Sequence, residues 1–267
     1  MATVSELLYY PVKGCAGLSV PSLSITPKGP VHDRTFMFVT PDGTFRSQRS
    51  TPRLAVVRPA VVHDGAKLTL AAPGHPDVAV AVRLAGEHVP VTVHAWSGWG
   101  VDQGDDAAEW GSAVLGEPVR LMRVPPDHER QVDAKHGTIT YTDSTALHLT
   151  SLSSVDDLNT RILERGAEPV PMARFRPNIV VADSPEYAED DFREIRVGGT
   201  ELRWVKPDVR CQVTMVDQDA GKPAGPEPIR TLASYRREPE GGVSFGIKLA
   251  VRTPGTITVG DTLSITG

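Results

Sequence analysis

Up to about residue 93, apolar side chains alternate with polar ones or run in short bursts, and that period of two marks half-buried strands. It predicts strands over Ser5 to Val12, Leu18 to Ile25, Thr35 to Val39, Leu54 to Val62, Lys67 to Leu70, Val78 to Val82 and Val89 to Val93. Pro41-Asp42-Gly43, His63-Asp64-Gly65 and Pro73-Gly74 separate them as turns, at the spacing of an antiparallel sheet or barrel. The period then changes. Asp105-Asp106-Ala107-Ala108-Glu109-Trp110 opens a helix with an acidic first turn, and Gly116 closes it.

The second half mixes both periods. Ser153-Ser154-Val155-Asp156-Asp157-Leu158-Asn159 has capping-box character, Ile162 and Leu163 continue the apolar stripe, and Gly166 suits the position past a helix end. Asn178 to Ala182 reads as a buried strand, Ile195 to Trp204 as a hairpin about Gly198-Gly199, and Ile229 to Arg236 as a short helix. Strands from Ser244 to Val251 and from Thr262 to Ile265 flank a turn at Pro254-Gly255. The fold class is α+β, mainly β, with a few short helices and neither repeats nor a low-complexity linker.

Composition narrows the function. With 40% hydrophobic and 23% charged residues, the chain supports one large or two small cores. No run approaches the roughly 18 apolar residues of a membrane span, and the first residues lack a basic region followed by an apolar core. A cytoplasmic location without membrane contact is expected. A net charge of −5 lacks the electrostatic footprint of nucleic-acid binding. Two cysteines make no disulfide framework, although a Cys15 to Cys211 bridge stays open. Nor do they supply the four thiolates of an iron–sulfur cluster, so any electrons arrive from elsewhere.

Familiar catalytic signatures are missing: there is no GxGxxG after a strand, P-loop, HExxH, GxSxG or CxxC. The eight histidines show no i, i+4 pair, which argues against zinc, and His32 and His94 read as structural or surface residues. Cys211 is more informative, because it follows Arg210. A guanidinium beside a thiol favours the thiolate, a nucleophile and a ligand for soft metals; the alternative is an inert, buried small hydrophobe. The arginines cluster at Arg46, Arg49 and Arg53, at Arg174 and Arg176, and at Arg210. Such clusters build an anion site or form solvated faces. Dispersed motifs add Tyr10-Pro11-Val12-Lys13-Gly14-Cys15, His32-Asp33-Arg34 and Tyr141-Thr142-Asp143-Ser144-Thr145. Together they suit an anionic ligand that carries a phosphate and a soft metal, with Lys13, Arg34 and Arg176 neutralising charge and Ser144 and Thr145 donating hydrogen bonds.

In order along the chain, these segments resemble the MOSC superfamily, in the branch of the mitochondrial amidoxime reducing component and its bacterial relatives. The carriers are Tyr10 to Cys15, Asp33-Arg34 through Gln48-Arg49-Ser50-Thr51-Pro52-Arg53-Leu54, Phe175-Arg176-Pro177-Asn178-Ile179-Val180 and Arg210-Cys211. Asp217 to Gly221, Leu232-Ala233-Ser234-Tyr235-Arg236 and Pro254 to Asp261 complete them. The resemblance implies an N-terminal β-barrel domain over 1–118 and a MOSC domain over 119–267, with molybdenum cofactor (Mo-molybdopterin) between them. It implies that Cys211 coordinates molybdenum and that Lys13, Arg34, Ser144, Thr145, Arg176, Arg210 and, as an addition, Asn178 hold the pterin and its phosphate. Gly14 and Val209 stand where relatives carry serine, and Lys248 where they carry tyrosine, so two hydroxyl contacts are absent and Lys248 offers a further phosphate contact. The implied activity is reduction of hydroxylamines, amidoximes or N-hydroxylated bases. Electrons would come from an external ferredoxin, flavin reductase or cytochrome. The alternative is a non-catalytic cofactor carrier, or a sulfur relay through a Cys211 persulfide.

Overall fold

The computed structural model describes residues 1–266. Its spine is an eight-stranded sheet in the order Leu18–Ser19, Thr3–Tyr9, Ile179–Ala182, Leu147–Ser151, Ser244–Thr253, Thr200–Val209, Glu194–Val197 and Ser264–Thr266. Leu147–Ser151 and Ile179–Ala182 run parallel, with the helix Leu152–Glu164 in the connection between them. The other strand pairs are antiparallel. Leu7, Leu149, Ile179, Leu202 and Ile247 are fully buried and form the centre of one core. A second core gathers Phe38, Leu54, Leu68, Trp110 and Leu121 beneath the sheets of the first half. The architecture is α+β and dominated by sheet, as its apolar periodicity requires.

The halves interleave. Thr3–Tyr9 pairs with Ile179–Ala182, Ser22–Thr26 with Gly255–Thr258, and Phe36–Val39 with Arg120–Arg123. Each pairing joins segments on opposite sides of residue 118.

Several elements differ from the sequence expectation. Leu54 to Val62 is divided into a 3-10 helix, Pro52–Val56, and a strand, Arg58–Val62. Pro52 presets a helical φ, and Leu54, Ala55 and Val56 bury together on one turn, which overrides their strand propensity. The helix expected from Ser153 already begins at Leu152, because the Ser151 hydroxyl accepts the Ser154 amide at 3.1 Å and caps it there. The helix expected over Ile229 to Arg236 ends at Leu232. Trp96–Asp102, Arg120–Arg123 and Leu147–Ser151 are strands that the pattern did not mark.

Candidate functional site

Seven chain segments converge on one cleft, and all eight residues singled out from the sequence line it: Lys13, Arg34, Ser144, Thr145, Arg176, Asn178, Arg210 and Cys211. Arg49 and Lys248 bring the cations on its wall to six, against the carboxylates of Asp143 and Asp208, on a chain whose net charge is −5. The positive charge of this acidic protein is therefore focused where a ligand would sit.

Arg34 and Arg176 both have left-handed backbones, with φ of 48° and 55°. That conformation is uncommon for a side chain with a Cβ, and packing must hold it. Here Tyr10 does so. The two guanidinium carbons lie 4.1 Å and 4.3 Å from the centre of its ring, and its hydroxyl donates to the Pro177 carbonyl at 3.0 Å. Buried Asp33 accepts from the Tyr10 amide at 2.7 Å and from Arg34 at 2.6 Å. Burial is the main cause that brings Arg176 down to about 10, which still leaves it cationic at neutral pH.

Lys13 is buried, and its ammonium donates to the Tyr141 carbonyl at 2.9 Å and to the Asp143 carboxylate. Burial lowers its proton affinity, and Asp143 opposes that shift. Desolvation pushes the Asp143 carboxyl up, but Lys13 and His94 together hold it well below the usual carboxylate range. His94 lies 3.2 Å from Asp143 and 3.3 Å from Arg49, at the rim.

On the opposite wall, Arg210 and Cys211 follow directly on the strand Thr200–Val209. Arg210 donates to Asp208 and, at 2.8 Å, to the Phe175 carbonyl. Lys248 lies 3.2 Å from Asp208 and donates to the Ser144 hydroxyl at 3.0 Å. Burial would raise the Asp208 carboxyl, yet Arg210 and Lys248 keep it depressed. His148, the cross-strand partner of Lys248, is buried and pushed down to about 3, chiefly by desolvation, so it is neutral. Gly246 makes room for it: a Cβ there would stand 2.6 Å from His148 Nε2, on a backbone with φ of 73°.

Cys211 is exposed and caps the 3-10 helix Gln212–Met215, whereas Cys15 is buried; both thiols are free, so the bridge left open between them does not form. The interior reading of Cys211 is overturned as well. Asn178 is buried, and both its donors are engaged, with the Leu8 carbonyl at 3.1 Å and Asp33 at 3.3 Å. It supports the cleft as a brace. At Gly14, φ is 83° and a Cβ would meet Leu54 at 3.1 Å, which accounts for glycine at that position. Asp143, Asp208, His148 and Gln48 line the cleft but were not singled out from the sequence. Asp208 had one local signal, its place two residues before Arg210.

Residues 1–118 match the MOSC N-terminal beta barrel domain, and residues 136–264 match the MOSC domain. The chain belongs to the MOSC family. Mitochondrial amidoxime-reducing component 1 of Mus musculus is 33% identical over 288 residues, covering 100% of this chain and 83% of that protein. The Homo sapiens protein of the same name is 32% identical, covering 100% of this chain and 84% of its own length. This MOSC chain is also 29% identical to a molybdenum cofactor sulfurase of Oryza sativa subsp. japonica, across 92% of this chain and 32% of the sulfurase. Within the MOSC family the chain thus falls in the amidoxime-reducing component branch. Among the described residues, no helix of this MOSC protein is long and apolar enough to cross a membrane.

Proposed function

We propose that this chain binds molybdenum cofactor in the cleft, with Cys211 as metal ligand, and reduces N-hydroxylated compounds such as hydroxylamines, amidoximes or N-hydroxylated bases. The reading rests on one observation above all: an exposed thiol shares a cleft with six cations on an acidic protein. The donor set suits the cofactor. A phosphate and a dithiolate call for charge-assisted hydrogen bonds, and Lys13, Arg34, Arg176, Arg210 and Lys248 are placed to give them. Thr142 Oγ1 and Arg210 Nε, both buried on residues of the cleft wall, have no partner in the protein. An orphan of this kind costs about 1–3 kcal/mol, and a polar ligand would relieve it. The amidoxime-reducing names of the relatives support the reaction class.

When bound, the cofactor supplies two-electron chemistry at an N–O bond. The balance is simple: the N–O bond breaks, two electrons and two protons enter, and an amine or amidine leaves with water. Lys13, Arg34 and Arg176 hold the anionic carrier, Cys211 holds the metal, and Phe45, Val213 and Val209 give the cleft an apolar side beside these polar groups. Electrons come from an external donor of the ferredoxin, flavin reductase or cytochrome class.

Expressed in a cofactor-competent host, the chain should carry near-stoichiometric molybdenum. Cys211→Ala should keep its fold by circular dichroism yet lose viologen-driven reduction by more than about 100-fold, beyond the 10–100-fold expected for an outer-shell partner. A second reading, a cofactor carrier or persulfide relay, draws on the same exposed Cys211 and on the sulfurase relative. Metal-loaded protein that never reduces a hydroxylamine would favour that reading, as would a persulfide on Cys211 in metal-free protein by intact mass.

A further inference from the structure

Gln48 and Gln218 stand 170 residues apart and face each other amide to amide. Gln48 is 1% exposed and lines the cleft. Its Nε2 donates to the Gly14 carbonyl at 2.6 Å and to Gln218 Oε1 at 3.1 Å. Gln218 Nε2 returns a bond to Gln48 Oε1 at 2.9 Å and donates to the Val216 carbonyl at 3.0 Å. A carbonyl can only accept, so Gly14 and Val216 fix the orientation of both amides. The remaining capacity of Gln218 Oε1 is taken by Arg176 NH1 at 3.4 Å. One amide pair therefore ties together the turn after Lys13, the Arg176 guanidinium and the limb that begins at Cys211. The same limb closes on the first half at Gly221, where a Cβ would lie 3.3 Å from Arg53 Cα.

The choice of amides matters. Lys13, Arg34, Arg210 and Lys248 each face a carboxylate. Among the described residues Arg176 makes no such ion pair, and its side-chain hydrogen bond goes to Gln218. A glutamate at 218 would reach the same guanidinium and cancel its charge.

We propose that Gln48 and Gln218 are positioning residues, a neutral clasp that fixes the Lys13-Gly14 turn and the Arg176 guanidinium while leaving the charge of Arg176 to an anionic ligand. The clasp rests on the cofactor reading above, and it adds to that reading a pair of residues that act through Arg176 without touching the metal.

The test uses the full chain, with inorganic phosphate as probe and molybdenum content as a second readout. Gln218→Glu should weaken phosphate binding by at least about tenfold, because a charge at this range moves an ionic equilibrium by one to three powers of ten. It should also flatten the salt dependence of binding and lower molybdenum occupancy, while the thermal midpoint is kept or raised by the new ion pair. Gln218→Met removes the hydrogen bonds without adding charge. It should weaken phosphate only a few-fold and leave the salt dependence as in the wild type. Wild-type phosphate affinity in Gln218→Glu, or identical behaviour of the two variants, overturns the clasp alone. A wild-type chain that binds neither phosphate nor molybdenum overturns the cofactor reading and the clasp with it.

Discussion

His148 illustrates how much a single buried ring depends on its surroundings. It sits among Asp208, Arg210 and Lys248, yet desolvation dominates and drives it to about 3. In the unfolded chain a histidine takes up its proton near pH 6.5. Because the folded value is depressed, the unfolded state binds the extra proton between those limits, and stability present above pH 6.5 is lost as the pH falls. The slope is about 1.4 kcal/mol per pH unit for each such group, and His128, pushed down to about 4 by burial, adds to it. The urea midpoint should therefore fall steadily from pH 6.5 to 4, and His148→Gln should make that fall shallower. An unchanged slope in the variant would refute the assignment.

At the scale of elements, the strand Ser244–Thr253 works because Gly246 is a glycine. Its φ is 73°, and a Cβ there would stand 2.6 Å from both His148 Nε2 and the Leu149 carbonyl oxygen, which leaves no room for a side chain. Gly246→Ala should cost about 2–4 kcal/mol, the sum of a left-handed backbone and local overpacking, read as a shift in the denaturant midpoint at unchanged m-value. Neighbouring strands show why legibility varied. Lys67–Ala72 alternates in burial, and the alternation was readable. Leu147–Ser151 is buried on both faces while carrying His148, Thr150 and Ser151, so its polar residues hide a central strand. Trp96–Asp102 carries Gly98 and Gly100, which weaken any strand signal, and Gly98 is wanted because a Cβ there would stand 2.1 Å from the Trp96 ring.

For the whole molecule, the decisive feature is the exchange of strands across residue 118. Thr3–Tyr9 lies inside the eight-stranded sheet, with Val4 and Leu7 in its core, and Phe36–Val39 takes Arg120–Arg123 as its partner. A fragment of residues 1–118 alone should consequently lack cooperative thermal unfolding, since both strands would expose unpaired edges and apolar faces. A sharp, two-state melt of that fragment would contradict the interleaved architecture.

Local chemistry along the chain determined that sheet dominates, that Asp105–Leu115 is a helix ended by Gly116, and that basic, hydroxyl and thiol side chains recur in short motifs. These follow from nearest-neighbour sterics, capping and periodicity, which act within a few residues. Only the tertiary structure decided that Lys13, Arg34, Arg176 and Cys211 share one wall-to-wall cleft, that Asn178 is anchored there by Leu8 and Asp33, and that Gln48 meets Gln218. Such facts depend on contacts between residues more than a hundred positions apart, and those contacts exist only once burial of the shared core has brought distant strands into register.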